Sequence, residues 1–169
     1  MAIIKTVRGF TPDIHTSCFL ADNAVVTGDV SIGKESSIWF NAVIRGDVNK
    51  VTIGERVNIQ DNATIHCTYE KYETTIGNNV SIGHNAIVHG CTIQDNVLIG
   101  MGAMVLDGVV IPPLTMIAAG ALVPERKVLE SGYLYMGMPA KKIKPLSPEQ
   151  LQFFIERTAR NYVKYASWY

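Results

Sequence analysis

The sequence predicts an all-β solenoid: a parallel β-helix of about six triangular coils, with one α-helix near the C-terminal end packed along it. Three observations carry this expectation. An aliphatic residue recurs every six positions through most of the chain, the fifth place of each hexad is mostly small or β-branched, and a stripe at helical spacing begins only after residue 147. A period of six matches neither the 3.6 residues of an α-helix turn nor the alternation of a plain strand. It fits a chain that turns a corner after each short flat side and buries one aliphatic side chain per side.

Taken in order, residues 1 to 13 are a short apolar lead-in with a turn signal at Pro12. The aliphatic series then runs Ile14, Leu20, Val26, Ile32, Ile38, Ile44. It slips by three residues before Ile53, Ile59, Ile65, and by five, across Cys67 to Thr75, before Ile76, Ile82, Val88. One residue is dropped, and Ile93, Ile99, Val105, Ile111, Ile117, Val123 complete eighteen hexads. The small partners include Cys18, Ala24, Val30, Ser36, Ala42, Val57, Ala63, Val80, Ala86, Ala103 and Ala121. Three sides per coil give eighteen residues per coil, and hydrogen-bonded coils stack ~4.8 Å apart.

The hexad region covers about residues 10–127 of a single domain spanning 1–169. Gly132 to Pro145 reads as a turn-rich passage. The helix is expected over about 147–166: Ser147 caps it, Pro148 takes the first helical position, and Gln150 reaches back to the cap. Leu151, Phe154, Ile155, Thr158, Tyr162 and Tyr165 form the stripe that faces the prism.

Composition excludes several function classes. Fifteen basic and fifteen acidic residues leave no net charge, so nothing marks a nucleic-acid surface. Three cysteines without paired spacing suit a reducing compartment, and the N-terminal residues lack a signal-peptide pattern, so a cytoplasmic location is expected. The apolar stretch from Val97 to Val123 is interrupted by Asp107 and Pro112-Pro113 and keeps its six-residue phase, which makes it buried wall and not a membrane span.

The histidines bear on function. With the slips excised, His66 after Ile65 and His89 after Val88 fall on the third side of successive coils, so their imidazoles stack on one edge. Arg45, after Ile44, holds the same place one coil earlier, with Asp47 close by. His84 sits two places after Ile82, on the second side and around a corner. Five extended residues span up to ~17 Å, so one chain does not easily bring all three imidazoles to one ion at Zn–N distances of ~2.0–2.1 Å. A neighbouring copy does, and closing that head-to-tail contact as a ring makes a homotrimer with a metal at each interface. Asp61 lies beneath His84 on the same side, beside Gln60, and is presented across the interface towards Arg45. Cys67 and Cys91 flank the histidine edge as bystanders, and His15 is a surface residue.

The hexad pattern resembles that of the hexapeptide-repeat proteins, which implies a left-handed helix although parallel crossovers generally favour the right hand. More specifically, Arg45-Gly46-Asp47, Asn58-Ile59-Gln60-Asp61, His66, His84 and His89 resemble the motifs of the γ-class carbonic anhydrases over nearly the whole chain. That resemblance implies a homotrimer with Zn2+, or Fe2+ or Co2+, bound by His66, His84 and His89. It makes Arg45 the interface arginine with Asp47 and Asp61 as carboxylate partners, Gln60 the residue that orients water or bicarbonate, and Asn58 its neighbour. Tyr162 resembles a tyrosine that short members place over the metal. The implied reaction is reversible hydration of CO2 to bicarbonate by a metal-bound hydroxide. One departure stands out: the segment after Asp47 is too short for the acidic excursion of the archetype, and Glu70 and Glu73 do not align with it. Two alternatives remain open, an acyltransferase or metal-dependent thioesterase acting on acyl-CoA, and a non-catalytic assembly subunit.

Overall fold

A computed structural model describes residues 1–169. Its short strands stack in three columns, and each column keeps the phase of the aliphatic series. On one side Leu20, Ile38, Ile59, Ile82, Ile99, Ile117 and Tyr135 are in parallel register. On the next, Ile4, Val26, Ile44, Ile65, Val88, Val105 and Val123 follow one another in the same way. The remaining side runs Ile14, Ile32, Ile53, Ile76, Ile93, Ile111.

Two columns therefore hold seven layers, one more than the six that periodicity alone suggests. The extra layer comes from residues outside the repeat. Ile3–Lys5, expected as a lead-in, is a strand beside Val25–Ile32. Tyr133–Met136, inside the supposed turn-rich passage, caps the other end and pairs antiparallel with Lys141–Pro145. The Tyr135 hydroxyl accepts from Glu130 N, which lets a polar-tipped ring close an apolar stack.

The core follows from the hexad chemistry. Ile38, Ile59, Ile82, Ile99 and Ile117 are fully buried, and Ala24, Ala42, Ala63, Ala86, Ala103 and Ala121 make a buried column of small side chains at one corner. At that corner the chain turns through left-handed backbone at Asn41, Asn62 and Asn85 (φ 59°, 60° and 58°), then Gly102 and Gly120. Asparagine and glycine are the residues that enter this region most readily. The three-residue slip does not break the wall: Val43–Ile53 is one continuous strand along Val25–Ile32, with an irregularity at Gly28/Val30. Gly46 is required there, because a Cβ on it would lie 2.2 Å from the Asp29 carbonyl oxygen.

The terminal helix starts as expected. Gln150 N donates to the Ser147 hydroxyl, and Ser147 N donates to the Gln150 side chain. It runs as Pro148–Gln150, a π-helical segment Leu151–Glu156, and Arg157–Ala166. Ile155 and Ala159 are buried, and Tyr162 meets Trp39 edge-on with ring centroids 5.3 Å apart. Phe154, assigned to the inner stripe by helical spacing, is instead exposed. The wider π-helical turn spoils the 3.6-residue projection at that point.

Candidate metal centre

Register places the first group of site residues on one edge. His66 and His89 are direct partners in adjacent parallel strands, and Ile44 pairs with Ile65, which sets Arg45 one coil before His66. These residues make a continuous polar row. Arg45 Nη1 donates to Asp47 Oδ2 at 2.7 Å, and Asp47 Oδ1 lies 3.0 Å from His66 Nε2. His66 Nδ1 faces His89 Nε2 at 3.1 Å, and His89 Nδ1 lies 2.6 Å from Asp107 Oδ1. The Thr68 hydroxyl donates to the other Asp107 oxygen.

The hydrogen atoms in this row follow from its ends. An ionised carboxylate only accepts, so His66 presents Nε2–H to Asp47 and His89 presents Nδ1–H to Asp107. With both imidazoles neutral, the remaining nitrogens, His66 Nδ1 and His89 Nε2, point lone pairs at each other. Two lone pairs at that distance repel unless a positive centre lies between them. Two nitrogens held ~2.0–2.1 Å from a tetrahedral ion stand about 3.3 Å apart, close to the 3.1 Å found here. This donor set fits a divalent metal with imidazole preference, each ligand oriented from behind by a carboxylate.

Electrostatics agree with a neutral His66. Burial holds the His66 pKa below the usual imidazole value against the opposing pull of its Asp47 hydrogen bond. Burial pushes the Asp107 carboxyl up, but hydrogen bonds from Thr68 and His89 outweigh it and leave its pKa lowered. The thiols of Cys67 and Cys91 are both raised by burial, which suits inert core residues.

The second group stands on the other side. His84 Nδ1 is 2.8 Å from Asp61 Oδ2. Asn85 N bonds the Asp61 carbonyl and Gly102 N bonds the His84 carbonyl, so Asp61, His84 and Met101 occupy equivalent corners of successive coils. Gln60 Nε2 donates to Asn58 Oδ1 at 2.9 Å, and Asn58 Nδ2 donates to Ser81 Oγ at 2.8 Å. Tyr162 and Asp61 line one cleft with Trp39, Phe40, Tyr165, Trp168 and Tyr169. Burial, with Asp61 and Tyr165 adding to it, pushes the Tyr162 hydroxyl up to about 12. That phenol stays protonated at neutral pH.

Within one chain, no three His, Cys, Asp or Glu side chains form a metal-holding group. Arg45, Asp47, His66 and His89 come together, whereas Asn58, Gln60, Asp61, His84 and Tyr162 belong to the other side. Asp107 and Thr68 were missed by sequence reasoning. Spacing did not mark Asp107, because the dropped residue puts Val88 in register with Val105 and so sets His89 opposite Leu106, one place short of Asp107.

Comparison with known proteins gives this geometry a context. The family model described as bacterial transferase hexapeptide (six repeats) matches residues 73–106. The chain is 43% identical over 167 residues to a carbonic anhydrase of Geobacillus kaustophilus, covering 99% of this chain and 91% of that one. It is also 43% identical over 161 residues to the mitochondrial gamma carbonic anhydrase 2 of Arabidopsis thaliana. That alignment covers 92% of this chain but only 58% of the plant protein, so the chain spans little more than half of that relative. A crystal structure of a hexapeptide transferase family protein from Anaplasma phagocytophilum superposes with a TM-score of 0.94 at 39% identity, covering 99% and 98% of the two chains.

Proposed function

This chain belongs to the γ-class carbonic anhydrase family, and we propose that it hydrates CO2 reversibly to bicarbonate at a metal site shared between neighbouring copies of a homotrimer. The observation that carries this reading is the close approach of His66 Nδ1 and His89 Nε2, each imidazole backed on its other nitrogen by its own carboxylate. The third ligand is His84 of the adjoining copy. Ile87 and Met101, both exposed and apolar, flank His84 and support a protein contact on that side.

When bound, Zn2+, with Fe2+ or Co2+ as alternatives, supplies Lewis acidity that brings the pKa of water to about 7. The residues of the chain do the rest. Asp47 and Asp107 orient the ligand imidazoles. Arg45, held by Asp47 and part-exposed, offers positive charge for bicarbonate at the edge. Gln60, steadied by Asn58, and Asp61 reach the site from the neighbouring copy and orient water or the product anion. Tyr162 lines the same cleft as Asp61 and keeps its hydroxyl proton available for a bound anion or water. Three free cysteines suit work in a reducing cytoplasm, and no helix is long and apolar enough to cross a membrane.

Stopped-flow CO2 hydration tests this function on protein loaded anaerobically with zinc or with iron. We expect a rate above buffer that chelation abolishes. No rate with either metal contradicts the proposal. Turnover of an acyl-CoA that survives chelation would favour the transferase reading suggested by the shared repeat.

A further inference from the structure

The two ligands on the histidine edge are not supported alike. His66 is held by Asp47, which lies on a neighbouring coil of the same wall and already pairs with Arg45. His89 depends on Asp107, and several features around that carboxylate converge. One of its oxygens receives His89 Nδ1–H and the other receives the Thr68 hydroxyl. Thr68 belongs to the Cys67-to-Thr75 excursion, which closes on itself through a bridge between Thr68 and Tyr72. Tyr72 in turn lies against Gly90 and Gly108, which are joined by the hydrogen bond from Gly108 N to the Gly90 carbonyl.

Gly90 leaves the opening for this carboxylate. Its backbone is left-handed (φ +56°), and a Cβ there would lie 2.3 Å from Asp107 Oδ1 and 3.0 Å from Tyr72 Cβ. The single residue dropped from the repeat falls between Val88 and Ile93, around this glycine. Two of the three irregularities of the hexad phase, the five-residue excursion and the dropped residue, therefore serve one local arrangement.

We propose that Asp107, anchored by Thr68 of the excursion, is a positioning residue that fixes His89 as its Nδ1–H tautomer and so reserves Nε2 for the metal. The proposal rests on the metal-site reading above. A neutral imidazole carries one proton on two nitrogens, and a carboxylate at 2.6 Å from Nδ1 selects the form with that proton on its side. The hydroxyl of Thr68 occupies the second oxygen and prevents the carboxylate from turning away. Partners of this kind change metal affinity by ~10- to 100-fold.

Two readouts separate this role from a general structural one. The first is long-range 15N–1H NMR of the imidazoles in zinc-free protein, where wild type should show His89 as Nδ1–H. Asp107→Ala should convert it to a mixture, while Asp107→Asn, whose side-chain oxygen still accepts, should restore the wild-type tautomer. The second is competitive zinc titration of the assembled protein, with Asp107→Ala weaker by ~10- to 100-fold and Asp107→Asn in between. Thr68→Val, nearly isosteric, should loosen His89 in the same direction and serves if Asp107→Ala does not fold. A His89 that keeps Nδ1–H in both Asp107→Ala and Thr68→Val, or is Nε2–H in wild type, overturns the proposal. Wild-type protein that binds no zinc would instead defeat the metal-site reading, and the tautomer measurement would still decide the role of Asp107.

Discussion

Replacing His84 with alanine is expected to empty the metal site while leaving the chain folded. The side chain is partly exposed and its hydrogen-bonding partner is Asp61, so no core packing is lost. His66 and His89 stand on a different edge and keep their own carboxylates. Two imidazoles without the third do not hold a divalent ion well, and zinc affinity should fall by more than the ~100-fold that loss of a supporting partner costs. Elemental analysis of the purified protein, with circular dichroism as the folding control, checks this. Metal content equal to wild type would mean that the edge pair recruits its third ligand from somewhere other than His84.

The largest effect on stability is expected from Ile99→Ala. Ile99 is fully buried in the middle of its column, between Ile82 and Ile117. In a solenoid each coil is supported by the coils on either side, so a hole in one layer weakens two interfaces. Isoleucine-to-alanine changes in a packed core cost ~2–5 kcal/mol, and the upper half of that range applies where rigid neighbours cannot collapse. Ile143→Ala provides the contrast, because Ile143 is 53% exposed and its loss should stay within about 0.5 kcal/mol. Urea unfolding of both variants at matched protein concentration measures the difference. Equal midpoints would mean that the inward column does not carry the fold.

The solenoid was legible because its inward positions repeat with a fixed period, and the registers of Ile59 with Ile82 and of His66 with His89 follow that count. The ends were less legible. Ile3–Lys5 and Tyr133–Met136 close the stack, and closing a stack requires only one compatible strand, which leaves no period to detect. The π-helical turn at Leu151–Glu156 was hidden for a related reason, since helical projection assumes a constant angle per residue and misplaces Phe154.

Much the same contrast holds at the site. The pairing of His84 with Asp61 follows from their shared hexad position. The contact between Asp107 and His89 does not, because it depends on a glycine, a dropped residue and an excursion that all break the count. Spacing identifies residues that share a column, whereas contacts made where the column is interrupted need coordinates.

Coexpression of two differently tagged variants, His84→Ala and the double variant His66→Ala/His89→Ala, tests most directly whether one ion draws its ligands from two copies. Neither variant alone should hold metal. In a head-to-tail trimer every mixed assembly contains one interface with all three imidazoles, so random mixing should restore metal to about a quarter of the interfaces, and only in the doubly tagged fraction. Mixed assemblies as empty as the parent variants would contradict a shared site, and a monomer holding stoichiometric metal would do so equally.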